Sequence, residues 1–452
     1  MQFHDRSDAA WARRFAVSWF NVVLGACFAT ALYAFAFALS ADATASTLTA
    51  LLYALGTMAW PHSRTLFTEP LAALGILLAY WGLHCSLRRQ RLRPALLAGC
   101  AAGYALLTRL DSVLALPGVA VYLALAHWER ASADVPDRPT REDGMDAMDE
   151  SQARSDDARH ELSSSSRSTT SLSSALALCR CQFERTALAR WLALGLPVVA
   201  ALAIYGILNL IHFGNLRPAY ADQPEGIDFG TPFLIGLHGF VCSIGRGLFF
   251  FSPPLLMFFW AIRRFAGVHR ALGTGLIVSL ALFLGVQSTW INWAGGWCWG
   301  PRHIFMIHWM LALPILVLLQ APRRPAVRIV YAALMALGIG IQVYGSSVNF
   351  SKYYKAHFYD VFEEPRAMAL YDLAQEGYLR QLYDLKVRAT PFSEAVEPNL
   401  YSSSIVAPIN DSVYIFQNSQ WPGNLRCLRR GMHDLFWLHL VQARSVQRSL
   451  GN

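Results

Sequence analysis

Isolated charged residues interrupt the long apolar stretches of this sequence, and they lie beside aromatic residues, glycines or prolines. One such segment, "AGGWCWGPRH", brings tryptophans, an arginine and a histidine together. The residues that could bind a ligand are Arg64, Glu69, Arg109, Arg246, Trp297, Arg302 and His303. Because a guanidinium group can pair with two phosphate oxygens at once, arginines that converge on one face predict a pocket for an anionic headgroup.

Simpler interpretations of the same residues stay open at this point. Arg109 and Asp111 could form an internal ion pair that only closes a bend, and Arg64 could only reach towards lipid phosphates. Glu69 could only favour the start of a helix. Interfacial residues without a ligand are the alternative for His62, Trp290, Trp293 and His303.

The elements that must position these residues are apolar helices. The chain has 452 residues, of which 54% are hydrophobic and 15% are charged, and its mean hydropathy is +0.32. Since a soluble domain carries about 25% charged residues, this composition predicts an all-α integral membrane protein. About ten segments are apolar enough to span a bilayer or to pack inside a helix bundle. They are residues 15–40, 46–60, 68–86, 94–108, 111–127, 190–211, 248–262, 271–291, 303–320 and 326–346.

The arginines also predict the orientation of these segments. Clusters of arginine occur at residues 88–93, 263–270 and 323–328, and all three fall on one side of the predicted bundle. Cytoplasmic loops of membrane proteins are enriched in Lys and Arg, so this side is predicted to be cytoplasmic. The same rule accounts for the net charge of +8 without a nucleic-acid partner. The candidate binding residues then lie on the extracytoplasmic face.

The chain divides into five parts. Residues 1–14 form an outer N-terminal segment, residues 15–128 and 190–346 form the membrane helices, and residues 347–452 form a small extracytoplasmic extension. Residues 129–189 include "DDARHELSSSSRSTTS", which is polar and has no apolar periodicity. This composition predicts a disordered cytoplasmic insertion.

Four segments together resemble the polytopic GT-C glycosyltransferases. They are "LLYALGTMAWPHSRTLFTEPLAALGILLAYW", "LLAGCAAGYALLTRLDSVLALP", "GRGLFFFSPPLL" and "WAGGWCWGPRHI". Their order and spacing are similar to those of bacterial relatives of the dolichyl-phosphate-mannose–protein mannosyltransferases, the GT39 or PMT-2-like group. The resemblance covers about residues 15–346 and implies a GT-C-like helix bundle.

This resemblance implies that the chain takes a sugar from a polyprenyl-phosphate carrier and passes it to a hydroxyl group of a glycan, lipid or protein, with inversion at the anomeric carbon. A carboxylate then accepts the proton of the acceptor, and cationic groups stabilise the charge of the leaving phosphate. The resemblance assigns phosphate contacts to Arg302, His303 and Arg246. It assigns the lining of the pocket to Arg64 and Glu69, and contact with a sugar face to the tryptophans around Trp297.

The start of the chain departs from the family pattern. GT-C enzymes carry a catalytic Asp or Glu in a large outer loop after a first helix, whereas this sequence begins with "MQFHDRSDAAWARRF" and continues into what resembles the second helix. Three explanations stay open: a misassigned start codon, a truncated and inactive copy, or a base supplied elsewhere in the chain. Asp222 and Asp228 are the candidates for such a base.

Two other functions compete with sugar transfer. One is a lipid-carrier transporter or flippase, although the sequence shows no internal repeat. The other is a catalytically inactive GT-C-like partner subunit. No His-x-x-x-His or paired-cysteine spacing occurs among the candidate segments, so no protein-bound metal site and no cofactor beyond the lipid-linked donor are predicted. A divalent metal requirement is left open. The expected partner is the lipid bilayer, with a bacterial inner membrane favoured over an ER membrane.

Overall fold

The computed structural model describes residues 19–65, 67–133, 162–216, 229–242, 246–290, 298–320 and 325–347, together with the isolated positions 293, 425, 428 and 429. The side chains of residues 162–184 and 235 are not part of this description. All regular elements within these ranges are helical. The α-helices are α1 (Phe20–Ser40), α2 (Ala43–Gly56), α3 (Ala59–His62), α4 (Glu69–Arg89), α5 (Leu92–Thr108), α6 (Leu116–Ala133), α7 (Leu162–Phe213), α8 (Phe233–Cys242), α9 (Leu248–Phe251), α10 (Phe258–Val268), α11 (Arg270–Thr289), α12 (His308–Ala312), α13 (Leu316–Gln320) and α14 (Pro325–Ser346). The 3-10 segments are η1 (Leu110–Ala115), η2 (Pro253–Met257), η3 (Arg302–Ile307) and η4 (Leu313–Ile315).

Seven helical segments of the described chain are long and apolar enough to cross a membrane. They are Phe20–Ser40, Glu69–Arg89, Leu110–Ser132, Arg185–Phe213, Arg270–Thr289, Arg302–Gln320 and Pro325–Ser346. The apolar helices α2 and α5 are shorter. The prediction of an all-α, multi-pass membrane protein is therefore confirmed, with fewer long helices than the ten expected segments. Residues 248–262 are divided among α9, η2 and α10, because Pro253 and Pro254 interrupt the helical hydrogen bonds.

Helix α7 differs from the expected boundaries. It begins at Leu162, so residues 162–189 are helical where a disordered insertion was expected. The Ala, Leu, Arg and Gln residues in "ALALCRCQFERTALAR" favour helix, and this outweighs the serines before them. Residues 134–161 of the expected insertion lie outside the described chain, as do residues 1–14 and almost all of 347–452.

Small residues allow α5 to approach α7 closely. A Cβ atom added to Gly99 would lie 2.5 Å from the carbonyl oxygen of Leu194, and one added to Gly103 would lie 2.8 Å from that of Pro197. Residues four apart share one face of a helix, so these glycines form a continuous groove for the α7 backbone. Any larger side chain on this face would push the two helices apart.

Helices α4, α6 and α11 meet at a polar contact in the middle of the bundle. The Tyr80 hydroxyl donates to the carbonyl of Gly275 at 3.0 Å and lies 2.7 Å from the hydroxyl of Ser279, which donates to the carbonyl of Ala115 at 3.0 Å. A Cβ atom on Gly118 would collide with the Gly275 carbonyl. These hydrogen bonds satisfy two hydroxyl groups that would otherwise be buried without a partner.

The run from η3 to α13 is the central element of the bundle. Its residues are almost entirely buried, and they contact α2, α4, α10 and α11. Trp309 lies in its middle and packs edge-on against Tyr80 at a centroid distance of 5.6 Å. Because η3 begins at Arg302, this buried run holds the arginine at one end of the bundle. The 21-residue helix α4 begins at the same end, with Glu69, and ends about 30 Å away.

Candidate functional site

Glu69 lies between two guanidinium groups at one end of the bundle. It is the first residue of α4, its side chain is 3% exposed, and Pro70 follows it at a position where a helix tolerates proline. Its Oε1 atom accepts a hydrogen bond of 2.7 Å from Nη1 of Arg109. The same oxygen lies 3.2 Å from Nε of Arg302. The structure thus brings together three of the residues that the sequence singled out.

A break between α5 and η1 directs Arg109 towards Glu69. Arg109 has an extended backbone, with φ −151° and ψ 123°, so its side chain leaves the helical path. Its Nε and Nη2 atoms donate to the two carboxylate oxygens of Asp111 at 3.0 and 2.8 Å. Gln287, near the end of α11, donates to Oδ2 of Asp111 at 3.2 Å. The predicted ion pair at this bend therefore exists, and it forms part of a larger network.

Arg302 is the more accessible of the two arginines. Its side chain is 25% exposed, and its guanidinium carbon lies 4.8 Å above the ring centre of Phe67. Asn21 on α1 holds the segment before α4 by donating to the carbonyl of Phe67 at 3.0 Å. A cation above an aromatic face and beside a carboxylate is held in position without using all its N–H donors.

The turn before Arg302 requires a glycine. Gly300 has φ +70°, and a Cβ atom there would collide with Sδ of Met58. The backbone N–H of Arg302 donates to the Gly300 carbonyl at 3.1 Å. Pro301 lies between them and fixes the entry into η3. The "GPR" sequence therefore gives the turn a single geometry that directs Arg302 towards Glu69.

Arg246 contacts the turn that carries Arg302. Its side chain is fully buried, and Nη1 donates to the carbonyl oxygens of Cys298 and Gly300 at 2.6 and 2.9 Å. It also lies 3.1 Å from the Cys298 sulfur. These hydrogen bonds connect Arg246 to both sides of Trp299 in the segment before Arg302.

The remaining candidate residues are more dispersed. His303 is buried and packs edge-on against Trp290 at a centroid distance of 4.5 Å, and its ring nitrogens have no hydrogen-bond partner among the described residues. Arg64 donates to the carbonyl of Ser346 at the end of α14. Trp293 is buried against Phe240 at 5.5 Å, so it is a core residue and not an interfacial one. Asp222, Asp228 and Trp297 lie outside the described residues.

Sequence reasoning did not include Asp111, Gln287 or Phe67 among the site residues. Asp111 had been noticed only as a partner of Arg109. Gln287 had a usable signal, because a polar side chain near the end of an apolar helix usually faces a protein partner. Phe67 gave no signal that distinguishes it from the other aromatic residues of the chain.

His62 lies under the site and is buried in a neutral form. Its Nε2 atom lies 3.1 Å from the carbonyl oxygen of Trp299, and its ring stacks on Phe305 at 5.0 Å. Burial away from water lowers the pKa of His62 to about 3, against the opposing effect of the hydrogen bond to Trp299 and with help from the nearby charges of Arg302 and Arg246. The imidazole is therefore a hydrogen-bonding element of the turn rather than a positive charge near Arg302.

This lowered pKa predicts a loss of stability in acid. Between an unfolded pKa of about 6.5 and the folded value of about 3, the unfolded chain binds the proton that folded His62 excludes. The contribution of His62 is therefore full above pH 6.5 and falls by about 1.4 kcal/mol per pH unit below it. In thermal unfolding in detergent at pH 7 and pH 5, we expect His62→Gln to show a smaller acid-induced drop in Tm than the wild type. The exposed His212→Gln is the matched control, and equal drops in all three proteins would contradict the prediction.

Comparison with known proteins gives one family. The family described as dolichyl-phosphate-mannose-protein mannosyltransferase matches residues 11–135 of the 452-residue chain. No curated protein and no solved structure matches the chain. The resemblance to PMT-2-like GT-C glycosyltransferases is therefore confirmed over this first part of the chain, which contains Glu69, Arg109 and Asp111.

Proposed function

We propose that this chain is a glycosyltransferase that moves a sugar from a polyprenyl-phosphate carrier to an acceptor hydroxyl on the extracytoplasmic or lumenal face of a membrane. The observation that carries the proposal is the position of Glu69, whose Oε1 atom lies 2.7 Å from Arg109 and 3.2 Å from Arg302. The match of residues 11–135 to a mannosyltransferase family supports the same chemistry.

The two arginines suit different tasks. Arg109 is held by the carboxylates of both Glu69 and Asp111, so little of its charge is available to a ligand. Within the described chain Arg302 has one carboxylate neighbour, and its side chain is partly exposed. We therefore assign the donor phosphate to Arg302, and we assign to Glu69 and Arg109 the task of keeping Arg302 in place.

In the proposed reaction the acceptor oxygen attacks the anomeric carbon, and the bond from that carbon to the phosphate oxygen breaks. The electron pair of the broken bond goes to polyprenyl phosphate, whose added charge Arg302 stabilises. The acceptor proton passes to a carboxylate, for which Asp222 and Asp228 stay the candidates. The oxygens of Asp111 accept hydrogen bonds from Arg109 and Gln287, which suits positioning better than proton transfer.

The surroundings of Glu69 match an amphiphilic donor. Apolar helices at this end of the bundle suit a prenyl chain, and the partly exposed Arg302 suits a headgroup at the aqueous boundary. We propose that the membrane is a bacterial inner membrane and that the acceptor is a glycan, lipid or protein hydroxyl.

Sugar transfer by membranes that contain the full chain tests this proposal. Radiolabelled polyprenyl-phosphate sugar is supplied, and label in the acceptor fraction is measured. We expect transfer by the wild type and a loss of about 10²-fold in Glu69→Gln, because a small displacement of a reacting or binding group costs about this factor. The exposed Glu129→Gln carries the same chemical change and should retain activity.

The same assay distinguishes the competing functions. Movement of labelled lipid across liposomes without transfer would support a transporter or flippase. Binding of the donor without turnover or movement would support an inactive partner subunit. Equal transfer by Glu69→Gln and Glu129→Gln would contradict the role given to the Glu69 carboxylate.

A further inference from the structure

The opposite end of α4 carries a second group of arginines. Arg130 on α6 donates through Nη2 to the carbonyl of Leu87 at 2.6 Å. Arg190 on α7 donates through Nη2 to Oε1 of Gln90, and the Gln90 amide nitrogen donates to the same Leu87 carbonyl at 2.8 Å. Gln90 therefore links the two guanidinium groups at the C-terminal end of α4. We refer to Arg130, Arg190 and Gln90 as the basic cluster.

The acceptors within the basic cluster are neutral oxygens. The ion pairs among the described residues all lie at the Glu69 end, and none includes Arg130 or Arg190. Arg190 is only 2% exposed, and Arg130 repels it electrostatically. Nη1 of Arg130 and Nε of Arg190 are buried donors without an acceptor in the described part of the chain. Buried positive charges in this state favour an anion as partner.

The end of α4 compensates these charges only in part. The C-terminus of a helix carries a partial negative charge of about half an elementary charge. Two guanidinium groups carry two full positive charges, and Arg88 and Arg89 add two more at the last turn of α4. Glu129 precedes Arg130, but it is exposed and forms no ion pair with Arg130 in the described part of the chain. The helix end can therefore orient Arg130 and Arg190 without neutralising them.

Neighbouring residues place the basic cluster at the depth of lipid headgroups. Trp128 and Trp191 each lie within two residues of a cluster arginine and are 72% and 38% exposed. Exposed tryptophans are enriched where a membrane protein meets the headgroup layer. Beyond Trp191, α7 exposes Leu192, Leu196 and Val199, which offer an apolar surface to acyl chains.

We propose that Arg130 and Arg190 bind a phosphate group and that this phosphate is the headgroup of an anionic phospholipid. The forked guanidinium matches phosphate oxygens, and two of them connected through Gln90 and the Leu87 carbonyl match one phosphate better than a single carboxylate. The apolar face of α7 favours a lipid over free phosphate as the source. By the arginine distribution, this end of the bundle faces the cytoplasm, where basic sites between membrane helices bind anionic headgroups. The site is about one helix length from Glu69 and does not depend on the proposed sugar transfer.

Lipid binding to the purified full chain tests this proposal. Native mass spectrometry in detergent is combined with thermal unfolding, with phosphatidylglycerol, phosphatidylcholine or inorganic phosphate added. We expect phosphatidylglycerol to bind at least about tenfold more tightly than phosphatidylcholine and to raise Tm. Replacing both cluster arginines (Arg130→Gln with Arg190→Gln) should abolish this preference. The exposed pair Arg263→Gln with Arg264→Gln makes the same change in charge and should preserve it.

A second variant keeps the test informative if the double glutamine variant does not fold. Arg130→Lys with Arg190→Lys retains the charge but loses the fork, so the preference should weaken without disappearing. Stabilisation by inorganic phosphate equal to that by phosphatidylglycerol would support the phosphate site and overturn the lipid as its source. No preference in the wild type, or equal losses in the cluster and control variants, would overturn the proposal. The proposal would also be overturned if the preference for phosphatidylglycerol appeared only after the acidic residues between 134 and 161 were replaced by amides. Those carboxylates would then be the partners of Arg130 and Arg190.

Discussion

Arg302→Ala is expected to lower sugar transfer by about 10²–10³-fold while the protein stays folded. Removal of one preorganised group that stabilises developing charge costs about this factor. Folding should persist because Glu69, 3.2 Å from Arg302, keeps its hydrogen bond of 2.7 Å from Arg109. The loss should fall on kcat more than on KM, because the charge on the phosphate increases in the transition state. Steady-state transfer kinetics with the labelled donor measure both.

Two further variants test whether the loss of transfer is specific to the guanidinium group of Arg302. Arg302→Lys keeps the charge but loses the fork and the stacking on Phe67, so an intermediate activity is expected. Arg263→Ala removes an exposed arginine of α10 and should leave kcat unchanged. A rise in KM with an unaltered kcat in Arg302→Ala would show that Arg302 binds the donor equally in the ground and transition states.

Arg246→Met is expected to lower the free energy of unfolding by about 2–4 kcal/mol. The change removes the hydrogen bonds that the carbonyl groups of Cys298 and Gly300 accept from the guanidinium at 2.6 and 2.9 Å. A hydrogen bond to a charged group contributes about 1.5–3 kcal/mol, and the Gly300 carbonyl keeps the backbone N–H of Arg302 as a donor. The apolar side chain fills part of the volume but offers no N–H. Thermal unfolding in detergent at fixed pH measures the loss.

Sugar transfer and Tm of Arg246→Met together distinguish a structural role of Arg246 in the turn from direct contact with the substrate. Since Gly300 accepts the backbone N–H of Arg302 at 3.1 Å, a displaced turn should also displace Arg302 and reduce transfer. Arg264→Met, on the exposed face of α10, is the control for loss of an arginine. Unchanged Tm together with lost transfer would indicate that Arg246 contacts substrate, as the sequence first suggested.

The sequence predicts those contacts that polar residues must make when apolar residues surround them. Polar groups inside a helix bundle need partners, so isolated residues such as Glu69, Arg109 and Arg302 could be expected to meet. The bend at Arg109 was predictable for the same reason, because Asp111 two residues later offers a local partner. Composition and the long apolar segments were sufficient for the all-α membrane class.

The features that could not be predicted depend on contacts between backbone segments that are far apart in the sequence. The burial of Arg246 depends on the carbonyl groups of Cys298 and Gly300, and backbone acceptors have no signature in the sequence. Gly300 is one of several glycines in its segment, and only the collision with Met58 distinguishes it. The helical start of α7 was obscured because the segment from 162 to 174 is dominated by serine and threonine, whereas helix-forming residues follow only later.

The meeting point of Tyr80, Gly118 and Gly275 has a consequence for biosynthesis. Tyr80 and Gly118 precede the long region between α6 and α7, whereas Gly275 and Ser279 follow it. The hydrogen bonds of Tyr80 to Gly275 and Ser279 therefore cannot form until α11 has been synthesised. The packing of α4 and α6 in the first part of the chain thus depends on a helix that the ribosome makes about 150 residues later.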